Sequence, residues 1–202
     1  MKTLTTALLF VTAIGAAQAQ VQVNPQMGLT YQHLTDAPKG TSFKGAVGWQ
    51  LGADLRFGDR LFFQPGAFFG RNATMVSQDN GETTAIEDNL VRTTLKLKAL
   101  AGYRIIDSYN FDLRFMAGPT YDVLLSADDK DDKIGWNKGD FNSGSFNVDA
   151  GLGFDFGYFT LEPSASFGLS RAFSNAEGLK DIDSKYITYA LTIGVNFGND
   201  DK

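Results

Sequence analysis

The connections between the alternating apolar-polar stretches of this chain are sorted by length, and that constrains the fold more than any single motif. Period-two alternation marks strands over roughly 24–34, 43–57, 61–76, 89–105, 111–125, 144–156, 159–173 and 185–197. Short connections, "GDR", "IDSYN" and "GY", follow the second, fourth and sixth. Long polar ones, "TDAPKGTS", "SQDNGETTAIED", "SADDKDDKIGWNKGDFNS" and "SNAEGLKDID", follow the first, third, fifth and seventh. In an up-and-down meander this sorting puts every short turn at one end and every long loop at the other. Barrels that cross an outer membrane have that asymmetry, with short periplasmic turns and longer outer loops. The expected fold is all-β: an eight-stranded antiparallel up-and-down transmembrane β-barrel.

Composition of the two faces decides which is hidden. One face of the last strand, "YITYALTIGVNF", carries Ile187, Tyr189, Leu191, Ile193 and Val195; the other carries Thr188, Thr192 and Asn196. A water-facing strand surface is usually crowded with long charged side chains, and this polar face has none. Small polar residues dominate that face in the other strands too, as a crowded interior requires. Aromatic residues gather near the strand ends. Phe57, Tyr103, Tyr109, Phe111, Phe156, Tyr158, Phe159 and Phe197 lie toward the short turns. Tyr31, Phe43, Phe69, Tyr121, Phe146, Phe173 and Tyr186 lie toward the long loops. Two girdles flanking an apolar band match the two head-group interfaces of a bilayer.

Eight strands enclose an interior that side chains just fill, so an open pore is not expected. The inward charges are Asp54, Asp112, Asp122, Asp149, Asp155 and Glu162 with Arg56, Lys96, Lys98, Arg104 and Arg114. Charges withdrawn from water need partners, so these form a structural network that plugs the lumen. If "IDSYN" sets Ile105 opposite Phe111, Arg104 faces Asp112. A Gly157-Tyr158 turn sets Phe156 opposite Phe159 and Glu162 opposite Gly153, whose missing side chain leaves Glu162 room to reach a base. "LFFQPGAFFG" (61–70) and "FTLEPSASFG" (159–168) form a weak repeat, and Pro65 and Pro163 within it predict local irregularities.

The first residues, "MKTLTTALLFVTAIGAAQAQ", read as a secretory signal: a positive start, an apolar run, and a small-x-small cleavage site at Ala17-Gln18-Ala19. The expected organisation is a cleaved signal peptide (1–19), a barrel (20–197) and a short acidic periplasmic tail (198–202). With no cysteine, disulfides and thiol chemistry are excluded. A net charge of −5 argues against nucleic-acid partners.

Other chemistry is sparse. The single histidine, His33, falls on the lipid-facing side near the outer end of strand one. A lipid A acyl transferase or deacylase would need it beside a serine and a carboxylate, so catalysis is not expected. Segment 128–140, "DDKDDKIGWNKGD", is rich in carboxylates yet lacks EF-hand spacing, and reads as a solvated loop. Trp136 and Phe141 in this loop are possible contact residues for a surface partner. No metal or cofactor site is expected.

The signal segment, the hairpin "LGADLRFGDRLFFQPGAFFG", the region "FNVDAGLGFDFGYFTLEPSASFGLS" and the closing strand together resemble the PorT-like outer-membrane β-barrel proteins of Bacteroidetes, Gram-negative bacteria. That resemblance implies insertion by the barrel assembly machinery, which reads a last strand ending in an aromatic residue such as Phe197. The reading is a small structural or surface-interaction barrel displaying four outer loops. Its partners are outer-membrane lipid and lipopolysaccharide, with a surface or periplasmic protein possible. The alternative is an outer-membrane enzyme or a component of a transport or secretion assembly.

Overall fold

A computed structural model describes residues 21–36, 41–78, 86–129, 138–174 and 183–198. The leader at 1–19, Trp136, most of 128–140 and nearly all of the expected tail lie outside the described residues. The strands are β1 (Val21–Leu34), β2 (Thr41–Gly58), β3 (Leu61–Gln78), β4 (Ile86–Asp107), β5 (Asp112–Asp129), β6 (Gly144–Phe156), β7 (Phe159–Gly168), β8 (Tyr186–Val195) and β9 (Phe197–Gly198). From β1 to β8 each strand pairs antiparallel with its sequence neighbour, and β1 pairs with both β2 and β8, which closes the sheet. The last two pieces are one strand interrupted at Asn196, since β9 continues along β1 through Val23↔Phe197. Pro25 has no N–H to donate at that break, and Asn196 turns its amide inward to accept from Asn24 Nδ2. The barrel is therefore eight-stranded.

Its sides are inverted relative to a water-soluble protein. Leu29, Leu51, Leu61, Leu191 and Ile193 are exposed, whereas Arg56, Arg104, Arg114 and Glu162 are fully buried. Only a bilayer makes that exterior favourable, and closure leaves no unpaired edge within it.

The strands are longer than a membrane demands. A span needs about 9–11 residues, yet β4 has 22 and β2, β3 and β5 have 18 each. The excess lies mostly toward the long loops, so the barrel wall rises beyond the outer aromatic girdle. There the interior turns apolar: Leu34, Val76, Leu90, Leu124, Ala127, Phe141, Ala172, Phe173 and Tyr186 form one buried cluster, with Phe43 packed against it.

This cap corrects three sequence expectations. Tyr186 and Phe173 belong to no girdle; they are 4 % and 2 % exposed and point into the barrel. Phe43 is half-buried against the same cluster because a bulge between Gly45 and Trp49 reverses the faces of β2. Phe141 is 3 % exposed, so its ring is a cap core residue and not a surface contact. Strand seven correspondingly stops at Gly168 instead of reaching residue 173. Beyond it Ala172 N–H donates to Ser184 C=O, Asn142 N–H donates to Ala172 C=O, and Phe141 bridges Phe173.

Register expectations fare unevenly. Phe156 does face Phe159 across the turn, with Gly157 at φ 59°. The β4–β5 turn differs: Arg104 stands opposite Arg114, and a shift between Arg104 and Ile106 then puts Asp112 opposite Asp107. Pro65 and Pro163 cause no slip. The register is continuous through both, and only the pairs facing the preceding strand drop out. Pro119 and Pro25 interrupt their ladders in the same way.

Candidate functional site

All eleven inward charges read from the sequence lie within the lumen, and the strands join them into two tiers. In the lower tier, toward the short turns, Arg114 donates to both oxygens of Asp155, from Nε at 2.7 Å and Nη2 at 2.9 Å. Asp155 also accepts from Thr160 Oγ1 and, at 3.3 Å, from Arg56 Nη1. Arg104 reaches Asp59 at 3.2 Å, Asp107 at 3.7 Å and Asp112 at 3.9 Å, so the Arg104–Asp112 pairing survives as a longer contact despite the altered register. Lys98 bridges Asp54 at 3.4 Å and Glu162 at 3.3 Å. Gln64 ties these together: its Nε2 donates to Asp54 and Glu162, while its Oε1 accepts from Arg114. The sequence repeat explains the geometry, since Gln64 and Glu162 each precede the motif's proline and meet across the barrel.

The upper tier is smaller. Lys96 lies 3.3 Å from Asp149 and 4.0 Å from Asp122, and Thr120 Oγ1 donates to Asp149. Above it stands Arg92, a lumen base the sequence reading missed, which donates to Gln32 and lies 3.7 Å over the Tyr186 ring. Counting Arg92, six described bases stand against the six acids read from the sequence. The buried amides of Gln22, Asn24 and Gln26 were missed as well, because an uncharged polar residue on a strand does not announce a network.

Space between the side chains is small. Two cavities of about 10 Å³ each flank Gln50, Lys96 and Thr188, and each has room for roughly one water. Side chains of the two tiers fill the lumen between the apolar cap and the short-turn mouth. Packing here is tight at the backbone too. A Cβ on Gly153 would overlap the Arg114 guanidinium, so the space at Gly153 is filled by Arg114, which lies 3.9 Å from Glu162. Gly153→Val is expected to cost about 1–3 kcal/mol by overpacking, read as a lowered urea midpoint; an unchanged midpoint would refute the fit.

At the short-turn mouth the lumen widens into a cavity of about 350 Å³ lined by Gln22, Asp112, Asp155, Asn196 and the rings of Tyr109, Phe111 and Tyr158. Elsewhere the girdle residues Tyr31, Phe57, Tyr103, Tyr121, Phe156, Phe159 and Phe197 stand on the outward or rim side. His33 lies between the rings of Tyr31 and Tyr189, at 6.4 and 6.5 Å, and its Nδ1 has no hydrogen-bond partner among the described residues.

The model of a protein family described as the outer membrane protein beta-barrel domain matches residues 16–174. The chain belongs to this outer-membrane β-barrel family. Its barrel is similar to the outer membrane protein OprG from Pseudomonas aeruginosa, with a TM-score of 0.56 and 14 % identity over 90 % of this chain and 97 % of that one. Neisserial surface protein A is also similar, with a TM-score of 0.51 and 11 % identity over 87 % of this chain and 97 % of that one. No curated protein sequence matches. At these identities the likeness is one of fold, and it agrees with the closed lumen in assigning the chain to the small barrels of the bacterial outer membrane.

Proposed function

We propose that this protein is a closed outer-membrane barrel whose work is done at its ends, as a structural element and surface-interaction module of the PorT-like kind. The observation that carries the reading is the outer cap. Strands that outrun the membrane enclose a dry apolar core, and the segments around Phe141 and Phe173 are stitched together over it. A fixed, pre-ordered platform lowers the entropic cost of binding a partner. A pore has no use for such a seal. Export through a signal peptide cleaved after Ala19, followed by insertion by the barrel assembly machinery, belongs to this reading.

A second reading, a component of a transport or secretion assembly, is favoured by the periplasmic mouth. A 350 Å³ polar hollow rimmed by the exposed rings of Tyr109 and Tyr158 is a surface on which a periplasmic protein can dock. An enzyme acting on lipid A is the weaker alternative, since His33 packs between two tyrosine rings.

Reconstitution tests the first reading. Liposomes carrying the folded barrel are expected to swell in small-sugar solutions no faster than empty ones, and swelling at a porin's rate would overturn the closed-barrel function. On gels the unboiled protein is expected to migrate apart from the boiled form. N-terminal sequencing of the membrane-extracted protein should begin at Gln20, and lipid A mass spectra from cells carrying His33→Ala should match wild type.

A further inference from the structure

Among the described residues the outward face of the strands carries few charges, and one of them stands at the outer girdle. Arg71 is exposed on that face of β3, paired with Trp49 of β2 and Thr93 of β4. It lies two residues outward of Phe69, whose ring is 5.9 Å from that of Trp49. The guanidinium thus sits on the long-loop side of the outer girdle, at the head-group level. Among the described residues its side chain has no ion-pair or hydrogen-bond partner, and its lateral neighbours are uncharged.

A second cation stands above it. The bulge between Gly45 and Trp49 turns Phe43 inward and Lys44 outward, opposite Met75. Arg71 and Met75 are four residues apart on β3, so the two cations are separated by about 13 Å along the strand. That is too far to share one phosphate and suits two phosphates on one head group. The chain is net acidic at −5, so these cations are not part of a generally basic surface.

We propose that Arg71 and Lys44 form a docking site for the phosphorylated sugar head of lipopolysaccharide in the outer leaflet, Arg71 gripping one phosphate in bidentate fashion and Lys44 the other. The inference rests on the reading that the long loops face the cell exterior. It assigns residues to a lipid partner that the fold leaves unspecified.

The test is native mass spectrometry of the folded barrel in detergent, titrated separately with diphosphoryl lipid A, monophosphoryl lipid A and phosphatidylglycerol. Wild type is expected to retain diphosphoryl lipid A best. Arg71→Gln should weaken that binding about tenfold, the loss typical of a charge-assisted bond, and Arg71→Lys by less. Lys44→Gln should erase the preference for two phosphates over one. Equal retention of phosphatidylglycerol by wild type, or binding by Arg71→Gln within about twofold of wild type, would overturn the site. Heat-modifiable mobility and outer-membrane recovery of each variant report the barrel itself, so loss of the lipid site and loss of the fold are told apart.

Discussion

Replacing Asp155 with alanine is expected to lower the unfolding free energy of the barrel by about 3–5 kcal/mol, the range for stripping one partner from a buried ion pair. The size follows from how many groups this carboxylate serves. Both its oxygens accept from Arg114, one also from Thr160, and Arg56 approaches at 3.3 Å. Arg114 is 0 % exposed, so its guanidinium depends on this carboxylate, which itself borders the short-turn cavity. Arg56 already leaves Nε and Nη2 without hydrogen-bond partners, so it has little in reserve. Asp155→Asn, which keeps the shape and part of the hydrogen bonding, should cost less than Asp155→Ala. Combining Asp155→Leu with Arg114→Met should cost less than the two single changes summed, because each single change strands a charge that the pair removes together. Urea unfolding from phospholipid vesicles, followed by tryptophan fluorescence, measures all five variants. A loss below about 1 kcal/mol for Asp155→Ala would mean the lumen is wet enough to screen its charges, and the plug would then not hold the barrel.

The charged part of this network was legible in the sequence, and the reason is physical. A charge at an inward strand position is conspicuous against the glycine, serine and threonine around it, so Asp54, Lys98, Arg114, Asp149 and Glu162 could be placed from alternation alone. Gln64 could not, although it contacts Asp54, Glu162 and Arg114, because an amide fits either face of a strand end. Alternation also fails at bulges. One extra residue in β2 exchanged the sides of Phe43 and Lys44, and a tighter β4–β5 turn than expected set Arg114, not Asp112, directly across from Arg104. The largest misreading was at the outer end. Girdle logic assumes that an aromatic residue on a strand faces lipid, and this holds for Tyr31, Phe69 and Tyr121. Past the bilayer the rule reverses: outside is water, the dry side is inside the barrel, and Tyr186 and Phe173 follow the dry side. Strand length would have given warning of this, had the period been followed through the polar stretches after residues 76 and 125.

The cap yields the other large effect. Phe173→Ala is expected to remove about 3–5 kcal/mol from the outer end, the cost of emptying a buried aromatic site. Its ring lies 5.3 Å from that of Phe141 and 6.1 Å from that of Phe43, and is 2 % exposed. The loss should be local. The main-chain bonds of the cap, Ser174 N–H to Asp140 C=O and Asn142 N–H to Ala172 C=O, have that packing as their support. The ladder within the membrane does not depend on it. Protease added outside intact vesicles should therefore cut near 138–143 and 169–174 faster in the variant, while heat-modifiable mobility stays as in wild type. Phe141→Ala should do the same, and the double variant should add little, since both rings fill one cluster. Liposome swelling separates the roles of the two seals. If the charge network closes the lumen, swelling stays at the level of empty vesicles even with the cap loosened, because the spaces beside Lys96 hold no more than about a water each. Were swelling to rise in Phe173→Ala, the cap would be the barrier, and the surface platform and the closure of the barrel would be one device.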